Sequence, residues 1–262
     1  MVGGATARVM DNSNPIDVTY DFRTDTPPDR DPDTWSPTLG RYHKLLWSKR
    51  LPSGLVFNLA YEKAPFYLHH GSDLGEFWLS SDAVIPTFRW NDQIKEMVPD
   101  EELRDFVSIG YTIGGMMIFP AVQINRKWTI NQARGCLRKI RDRFDLTVEC
   151  IRRHYVGGES PLSEVLARYA NFFELFQDFK GYVEFFFLQD LVTEDFKAVK
   201  FSAHFDNFES SPVPDSLSAY RAYRDCAVDF IEARNKRIRE WSETHLGANR
   251  NIQAPLGGAF DG

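Results

Sequence analysis

Three acidic side chains on a predicted central helix could do chemistry, because their spacing places them on one side of that helix. Asp142, Asp145 and Glu149 follow one another at steps of three and four residues, so their carboxylates face roughly the same way. Such a group can hold Mg²⁺ or act as a base, and arginines beside it could grip a phosphate. The candidate catalytic residues are Asp142, Asp145, Glu149 and His154. The candidate ligand-binding residues are Arg134, Arg138 and Arg152.

The same charges also have a structural interpretation, in which arginines neutralise the acids. Asp145 and Glu149 are like charges four residues apart, an arrangement that destabilises a helix unless cations lie nearby. Arg138, Arg141 and Arg153 lie at offsets that could supply them. Carboxylates converging in an open cleft would indicate an enzyme, whereas full pairing with arginines in the interior would indicate a salt-bridge network.

Two histidines and two acids lie close together in a predicted turn between strands. His69, His70, Asp73 and Glu76 fall within eight residues, and all four are residue types that bind metals. Their spacing matches no standard motif, and alternation along a strand would point His69 and His70 to opposite faces. We therefore predict no metal site here.

The last predicted helix carries a further arrangement at Arg239 and His245. It resembles the arginine and histidine pair of helical ribonucleases from defence and toxin systems, in which histidine transfers a proton while arginine stabilises phosphate charge. Residues six positions apart lie poorly on one helical face, so local unwinding or a partner subunit would be needed. Two arginines on the apolar stripe of this helix, Arg224 and Arg234, are expected to require carboxylate partners, with Asp190 the natural candidate.

Composition limits the class of protein. The chain has 262 residues, of which 43% are hydrophobic, enough to bury a real core. A net charge of −6 argues against a general nucleic-acid coat protein. Three scattered cysteines are typical of reduced core residues, and no leader or long apolar run is present, so we expect a cytoplasmic protein without a membrane span. Phosphate-binding GxxxxGK loops, GxSxG elbows and HExxH motifs are missing from the sequence.

Hydrophobic periodicity predicts the elements that must position these residues. Short runs rich in aromatic and β-branched residues between 55 and 88 predict a small antiparallel sheet. A helix is expected from Asp100, and GYTIGGMMIFPA after it suits either a buried strand or a bent helix end. Apolar residues at steps of three and four from Ile130 to Tyr155 predict one helix of about seven turns, with Thr129 as its N-cap.

Two more long helices are predicted after this one. One begins near Pro161 and carries an apolar stripe from Leu162 to Phe176, and the other runs from Leu217 to Leu246. Residues 179–192 are apolar nearly all round, so they are expected to be buried on several sides. The predicted fold class is α+β, with a small N-terminal antiparallel sheet packed on a C-terminal bundle of three to four long helices.

The chain is predicted to form one domain with two loose ends. Residues 1–37 are expected to be an extended N-terminal arm, because the proline-rich stretch PPDRDPDTWSP cannot sustain a helix or a ladder. The single α+β domain is assigned to 38–246, with its sheet portion at 38–90 and its helical portion at 91–246. A glycine-rich tail at 247–262 is expected to be loose.

Several segments occur together in the order typical of one known group of proteins. They are SPTLGRYHKLLWSKRLPSG, FYLHHGSDLGEFWLSSD, TINQARGCLRKIRDRFDLTVECIRRHY, and NFFELFQDFKGYVEFFFLQDLV followed by FIEARNKRI. In these segments, over Ser36 to Arg239, the chain resembles an uncharacterised bacterial protein family of about this length, a domain of unknown function. The resemblance implies no activity and no catalytic residue.

Two functional hypotheses follow. The first is a bacterial phosphate-handling or nucleic-acid-directed protein, linked to phage defence, whose site lies on the charged 129–155 helix. Mg²⁺ is the expected cofactor if the carboxylates form a site, and a phosphate-containing ligand or nucleic acid is the expected partner. The second is a non-enzymatic interaction protein in which that helix face is a salt-bridge network. A homodimer is a further candidate assembly, and no membrane partner is expected.

Overall fold

The computed structural model describes residues 15–61, 68–86 and 96–246. Within these ranges the strands are β1 Lys49–Arg50, β2 Val56–Phe57, β3 Ala60–Tyr61, β4 Leu68–Ser72, β5 Gly75–Ala83 and β6 Met116–Pro120. β1 pairs with β2, and the other four form an antiparallel sheet in the order β3-β4-β5-β6. The antiparallel sheet predicted in the first part of the chain is confirmed. Its last strand comes from the segment for which the sequence left strand and helix open.

The last strand, β6, is the buried edge on which the helices pack. Every residue of β6 is buried, whereas buried and partly exposed residues alternate along β5. A strand buried at every position is covered on both faces. The chain enters β6 through Gly115, where a Cβ atom would approach the carbonyl oxygen of Gly110 to 2.1 Å. Only glycine fits this close backbone approach.

The helices of the described ranges complete an α+β fold, as predicted. They are α1 Pro32–Trp35, α2 Pro37–Trp47, α3 Asp100–Gly110, α4 Ile130–Cys136, α5 Phe144–Tyr155, α6 Ser163–Arg168, α7 Ala170–Glu174, α8 Phe179–Phe185 and α9 Leu217–Leu246, with short 3₁₀ turns at Phe22–Thr24, Ile113–Gly115 and Gln189–Leu191. The bounds of α9 are those predicted. At 30 residues α9 is long, but α5, the next longest in the described ranges, has 12, so short helices make up most of the predicted bundle.

The seven-turn helix predicted from Ile130 to Tyr155 is wrong, because the structure divides it into α4 and α5. Its predicted start is confirmed: Thr129 caps α4, and the Thr129 hydroxyl and the Gln132 side chain form a reciprocal capping box. The helix then ends at Cys136, and Leu137 has an extended backbone. The apolar stripe is therefore divided between two helices.

The break between α4 and α5 is a tight reversal of the chain. Arg141 and Asp142 adopt left-handed backbone conformations, with φ of 46° and 61°. The backbone N–H of Asp142 donates to the carbonyl oxygen of Arg134 at 3.1 Å. Gly135 makes room for this return, because a Cβ atom there would lie 3.1 Å from a carboxylate oxygen of Asp142. This glycine was the signal for a break inside the predicted helix.

The described part of the N-terminal arm is a structural part of the domain. Ile16 and Phe22 are fully buried, and the backbone N–H of Phe22 donates to the carbonyl oxygen of Tyr111 at 3.1 Å. The proline-rich stretch predicted to lack helix forms α1, because Asp31 caps it and Pro32 occupies its first turn, where a proline needs no hydrogen-bond donor. The predicted loose segments 1–14 and 247–262 lie outside the described residues.

None of the helices in the described ranges combines the length and the apolar character that a bilayer span requires. No disulfide joins the cysteines of the described chain, and only Cys150 is buried as predicted for core residues. Burial raises the pKa of the Cys150 thiol to about 12, so this thiol is protonated at neutral pH. Cys226 is exposed on α9 rather than in the core.

Candidate functional site

The structure places Asp145 in the interior as the partner of one arginine. Its carboxylate oxygens accept hydrogen bonds from Arg143 at 3.1 and 2.5 Å, and one of them also accepts the backbone N–H of Ser202 at 2.9 Å. Arg143 and Asp145 are each only 2% exposed. A fork-to-fork pair of this kind fixes the start of α5 against the segment that precedes α9. Both carboxylate oxygens of Asp145 are thus occupied by hydrogen bonds rather than open to a metal ion or a substrate.

Glu149 is held by two arginines one turn later on α5. Arg152 donates to both of its carboxylate oxygens at 2.7 and 2.9 Å, and Arg153 donates to one at 2.7 Å. Burial of the carboxyl pushes its pKa upward, but the hydrogen bonds from the two arginines outweigh this and hold the pKa below its ordinary value. Glu149 is therefore ionised and paired at neutral pH, as a salt-bridge network requires.

Replacing Glu149 with glutamine is expected to lower the free energy of unfolding by about 1–2 kcal/mol, since two arginines lose a buried anion. Urea denaturation at neutral pH measures the change. Glu164→Gln is the matched control: Glu164 also meets two cations, Lys127 and Arg168, but its side chain is 76% exposed. That control should change the stability by less than about 0.5 kcal/mol. Equal effects of the two substitutions would contradict a stabilising role for the Glu149 network.

Arg134 lies in a separate cluster, together with an acid that the sequence analysis missed. Its guanidinium is fully buried and forms an ion pair with Asp82 of β5. It also donates to the hydroxyl of Thr147 at 3.1 Å and to the backbone carbonyl of Asp142 at 3.4 Å. The arginine thus joins the sheet, the reversal after α4, and α5. Asp142 contributes its backbone carbonyl here.

A second missed acid, Asp33 of α1, faces the same cluster. Burial raises the pKa of Asp33 well above its ordinary value, and the charges of Asp82 and Asp31 raise it further. Burial also raises the pKa of Asp82 to about 7, against the opposing charge of Arg134. One carboxylate oxygen of Asp33 is buried without a hydrogen-bond partner. Asp82 forms the ion pair with Arg134, and the raised pKa of Asp33 favours the protonated form of that second acid.

The remaining predicted site residues lie apart from these groups. Arg138 is exposed in the reversal between α4 and α5, and its side chain forms no ion pair within the described ranges. His154 lies near the end of α5 with its ring 5.1 Å from that of Phe173. Burial lowers the pKa of His154, against the charge of Glu174. The predicted residues are thus distributed over several places, and their catalytic role stays a prediction.

The carboxylates do not fit the Mg²⁺ site that was expected of them. In the described part of the chain, no group of three or more His, Cys, Asp or Glu side chains is placed to hold a metal ion. The oxygens of Asp145 and Glu149 are occupied by guanidinium groups. Both ring nitrogens of His70 also have hydrogen-bond partners, the Asn58 carbonyl at 2.8 Å and the Ser72 hydroxyl at 2.7 Å.

Of the two inner-face arginines of α9, Arg234 lacks the carboxylate partner that was expected in the described part of the chain. Arg234 is fully buried, and it donates to the backbone carbonyls of Phe186, Gly114 and Met116 at 3.1, 2.9 and 2.7 Å. No carboxylate within the described ranges forms an ion pair with it. The expected partner, Asp190, instead binds Arg237 at 2.6 Å. Backbone carbonyls, which carry no sequence signal, solvate the buried charge.

Arg224 is only partly buried and does have acidic partners. It pairs with Glu102 of α3 at 2.5 Å and with Asp225 at 2.7 Å, and Arg221 also binds Glu102 at 2.5 Å. These contacts tie the start of α9 to α3. The prediction of a carboxylate partner is confirmed for Arg224 and wrong for Arg234.

A cavity lies where the N-terminal arm, the end of α3 and the second half of α9 meet. It has a volume of about 540 Å³, within the range of small-molecule sites. Val18 and Ile109 form an apolar part of the cavity lining, and Asn235 forms a polar part that is held in place. The Asn235 amide accepts the backbone N–H of Gly114 at 2.7 Å and donates to the hydroxyl of Thr112 at 2.9 Å. Its side chain is therefore locked against the turn that enters β6.

The charged groups of this pocket differ in whether they have partners. Asp21 is satisfied, because Arg23 donates to its carboxylate at 2.6 Å and the Ser108 hydroxyl at 3.3 Å. Lys236 and Arg239 of α9 also line the pocket and are exposed to solvent. Neither cation forms an ion pair with a carboxylate in the described part of the chain. The pocket thus combines two cations that face an open cavity.

Arg239 and His245 do not form the site suggested by their spacing. Arg239 lines the pocket, whereas His245 is absent from its lining. The ring of His245 stacks on Trp241 at 4.8 Å, and its Nδ1 lies 2.9 Å from the Trp241 carbonyl oxygen. Six residues along a regular helix direct the two side chains apart.

A family model matches residues 16–238, which is most of the chain. The chain belongs to DUF6994, a family of unknown function. This confirms the resemblance noted in the sequence. The DUF6994 match begins at Ile16, a buried arm residue, and it includes every residue that lines the pocket except Arg239. No curated protein and no solved structure matches the chain.

Proposed function

We propose that this DUF6994 protein binds a small phosphate-bearing molecule in the pocket between the arm, α3 and α9. The observation that carries the proposal is the pair Lys236 and Arg239, which line a cavity of about 540 Å³ without a carboxylate partner among the described residues. Phosphate oxygens are the ligands that such cations bind best, with arginine offering two parallel donors and lysine a point charge. The phosphate-handling part of the first hypothesis is thereby moved from the charged helix to α9.

The pocket is suited to a small ligand by its walls as well as its charges. Asn235 and Thr112 are fixed by hydrogen bonds to each other, and the arm is anchored by the donation from Phe22 to Tyr111. A preformed cavity loses little conformational entropy when a ligand binds. Apolar side chains from the arm and α3 can contact the part of the ligand that carries no charge.

Thermal denaturation with a panel of phosphate monoesters and their dephosphorylated parent compounds tests the proposal. A ligand at about a hundred times its Kd adds about 2.7 kcal/mol to the free energy of unfolding, which raises Tm by several degrees. We expect members of the phosphorylated series to raise Tm and their parent compounds to leave it unchanged.

The variants Lys236→Ala and Arg239→Ala should each weaken binding about tenfold or more, because each removes a charge-assisted contact. Lys139→Ala is the matched control, since Lys139 is exposed and lies outside the pocket. Titration calorimetry with the best monoester measures the three affinities. Binding that is unaffected by both pocket variants, or equal Tm shifts from phosphorylated and parent compounds, would overturn the proposal.

A further inference from the structure

The same pocket is lined by a further charged side chain, Glu232, for which the described residues supply no partner. Glu232 of α9 is exposed, and it forms no ion pair or side-chain hydrogen bond within the described ranges. The other acid of the pocket, Asp21, is already bound by Arg23 and Ser108. The amide oxygen of Asn235 is also occupied. Glu232 is therefore the charged acceptor in the lining that is free to bind a ligand.

The position of Glu232 on α9 sets its distance from the two cations. Glu232, Lys236 and Arg239 follow one another at steps of four and three residues, so they lie along one face of the helix. Glu232 and Arg239 are seven residues apart, which corresponds to about 10 Å along the helix axis. Along α9 the lining thus runs from a negative side chain at Glu232 to positive side chains at Lys236 and Arg239.

The net charge of the pocket indicates which ligand balances it. Arg23 neutralises Asp21, so two free cations and one free carboxylate leave a single positive charge. A phosphate monoester carries close to two negative charges at neutral pH. A phosphate monoester that also has one ammonium group therefore carries about one net negative charge, equal and opposite to that of the pocket. An uncharged hydroxyl in place of the ammonium would leave the Glu232 carboxylate unbalanced.

We propose that the ligand is an amine-bearing phosphate monoester, whose ammonium group binds Glu232 while its phosphate binds Lys236 and Arg239. The inference rests on the proposed function, and it specifies the group at the far end of the ligand. Opposite charges at the two ends also orient the ligand, because the reversed orientation would place ammonium against two cations and phosphate against a carboxylate.

Calorimetric titration with three matched probes tests this assignment: 6-aminohexyl phosphate, hexyl phosphate and 6-hydroxyhexyl phosphate. We expect the aminoalkyl phosphate to bind about tenfold more tightly than either of the other two, as a charge-assisted contact would give. Glu232→Gln should abolish this preference and leave the affinity for hexyl phosphate within about twofold, because the amide keeps the shape of the side chain but removes its charge. Glu240→Gln is the matched control, since Glu240 is exposed on the same helix outside the pocket.

The two proposals fail in different ways. Equal affinities of wild type for the three probes, or an amine preference that survives Glu232→Gln, would overturn the amine assignment while the phosphate site stands. A loss of preference in the Glu240→Gln control as well would also overturn it, because the effect would then be one of overall charge. Absence of binding by all three probes and by the monoester panel would overturn the phosphate site itself. The substituted residues are exposed, so each variant should unfold at the same temperature as wild type in the absence of ligand. That comparison verifies that the fold is intact.

Discussion

Replacing Arg234 with alanine is expected to lower the free energy of unfolding by about 4 kcal/mol. The guanidinium is fully buried and donates to three backbone carbonyls, at Phe186, Gly114 and Met116. Removing it leaves those carbonyls without a donor and opens a cavity beside Trp47, whose ring lies 5.8 Å from the guanidinium carbon. Both effects act together, because the guanidinium joins two separate segments, the turn from Gly114 to Met116 and the end of α8 at Phe186.

Two comparisons separate this effect from a general loss of positive charge. Arg234→Lys keeps the charge but cannot reach three carbonyls with one ammonium group, so it should still cost about 2 kcal/mol or more. Arg237→Ala on the same helix removes an ion pair with Asp190 whose arginine side chain is 41% exposed, and it should cost less than about 1 kcal/mol. Urea denaturation measures all three. A loss below about 1 kcal/mol for Arg234→Ala would show that the carbonyls find other donors.

Replacing Asp33 with asparagine is expected to stabilise the protein at pH 8 by about 2 kcal/mol. Asp33 has a buried carboxylate oxygen near Asp82 and Asp31, and its pKa is raised well above its ordinary value by burial and by their charges. A difference of one pKa unit between folded and unfolded states corresponds to about 1.4 kcal/mol. Asparagine keeps an oxygen that can accept the backbone N–H of Ala83, and it stays neutral beside Asp82 and Arg134 at pH 8 without having to hold a proton.

The direction of the pH dependence follows from proton binding. The native state holds a proton on this pair of acids at pH values where the unfolded chain has lost it, since the unfolded carboxyl has a pKa near 3.8 while the folded pKa of Asp82 is about 7. Stability contributed by the pair is therefore fully present below about pH 4 and is lost as the pH rises through the folded values. Asp33→Asn should flatten this decline between pH 5 and pH 8.

Chemical denaturation at several pH values compares Asp33→Asn with Asp29→Asn. Asp29 is exposed, and asparagine suits its left-handed backbone, so this control changes the net charge equally without entering the cluster. We expect the control to follow the wild-type profile. Parallel profiles for wild type and Asp33→Asn would contradict the shared proton.

The sequence predicted those helices and strands that neighbouring residues specify. Thr129 and Gln132 form the capping box that their spacing allows, and α9 has the bounds that its apolar stripe and the flanking polar loops indicated. The runs rich in aromatic and β-branched residues before residue 88 contain β3, β4 and β5 of the antiparallel sheet. The break after α4 was not predicted, because its local signal, Gly135, is a single glycine of the kind that helices tolerate. Helical periodicity continues across the break, so the pattern alone could not separate one helix from two.

The candidate site likewise combines features that neighbouring residues specify with features that depend on contacts between distant residues. The charged flank of residues 134–153 was compatible with a site and with a salt-bridge network. Which carboxylate meets which arginine depended on the reversal at Asp142, which sends Arg134 to Asp82 and leaves Asp145 to Arg143. Asp33 and Asp82 could not be associated with Arg134 by spacing, since they lie on different elements far apart along the chain.

The sequence by itself determined the α+β class, the sheet region, the long C-terminal helix and membership of a family of unknown function. These depend on periodicity and composition, which are properties of neighbouring residues. Tertiary structure alone decided the pocket, because Asp21, Ile109 and Arg239 come together only when the arm, α3 and α9 pack. It also decided that backbone carbonyls, rather than a carboxylate, hold Arg234, since carbonyls are present at every residue and only packing selects among them.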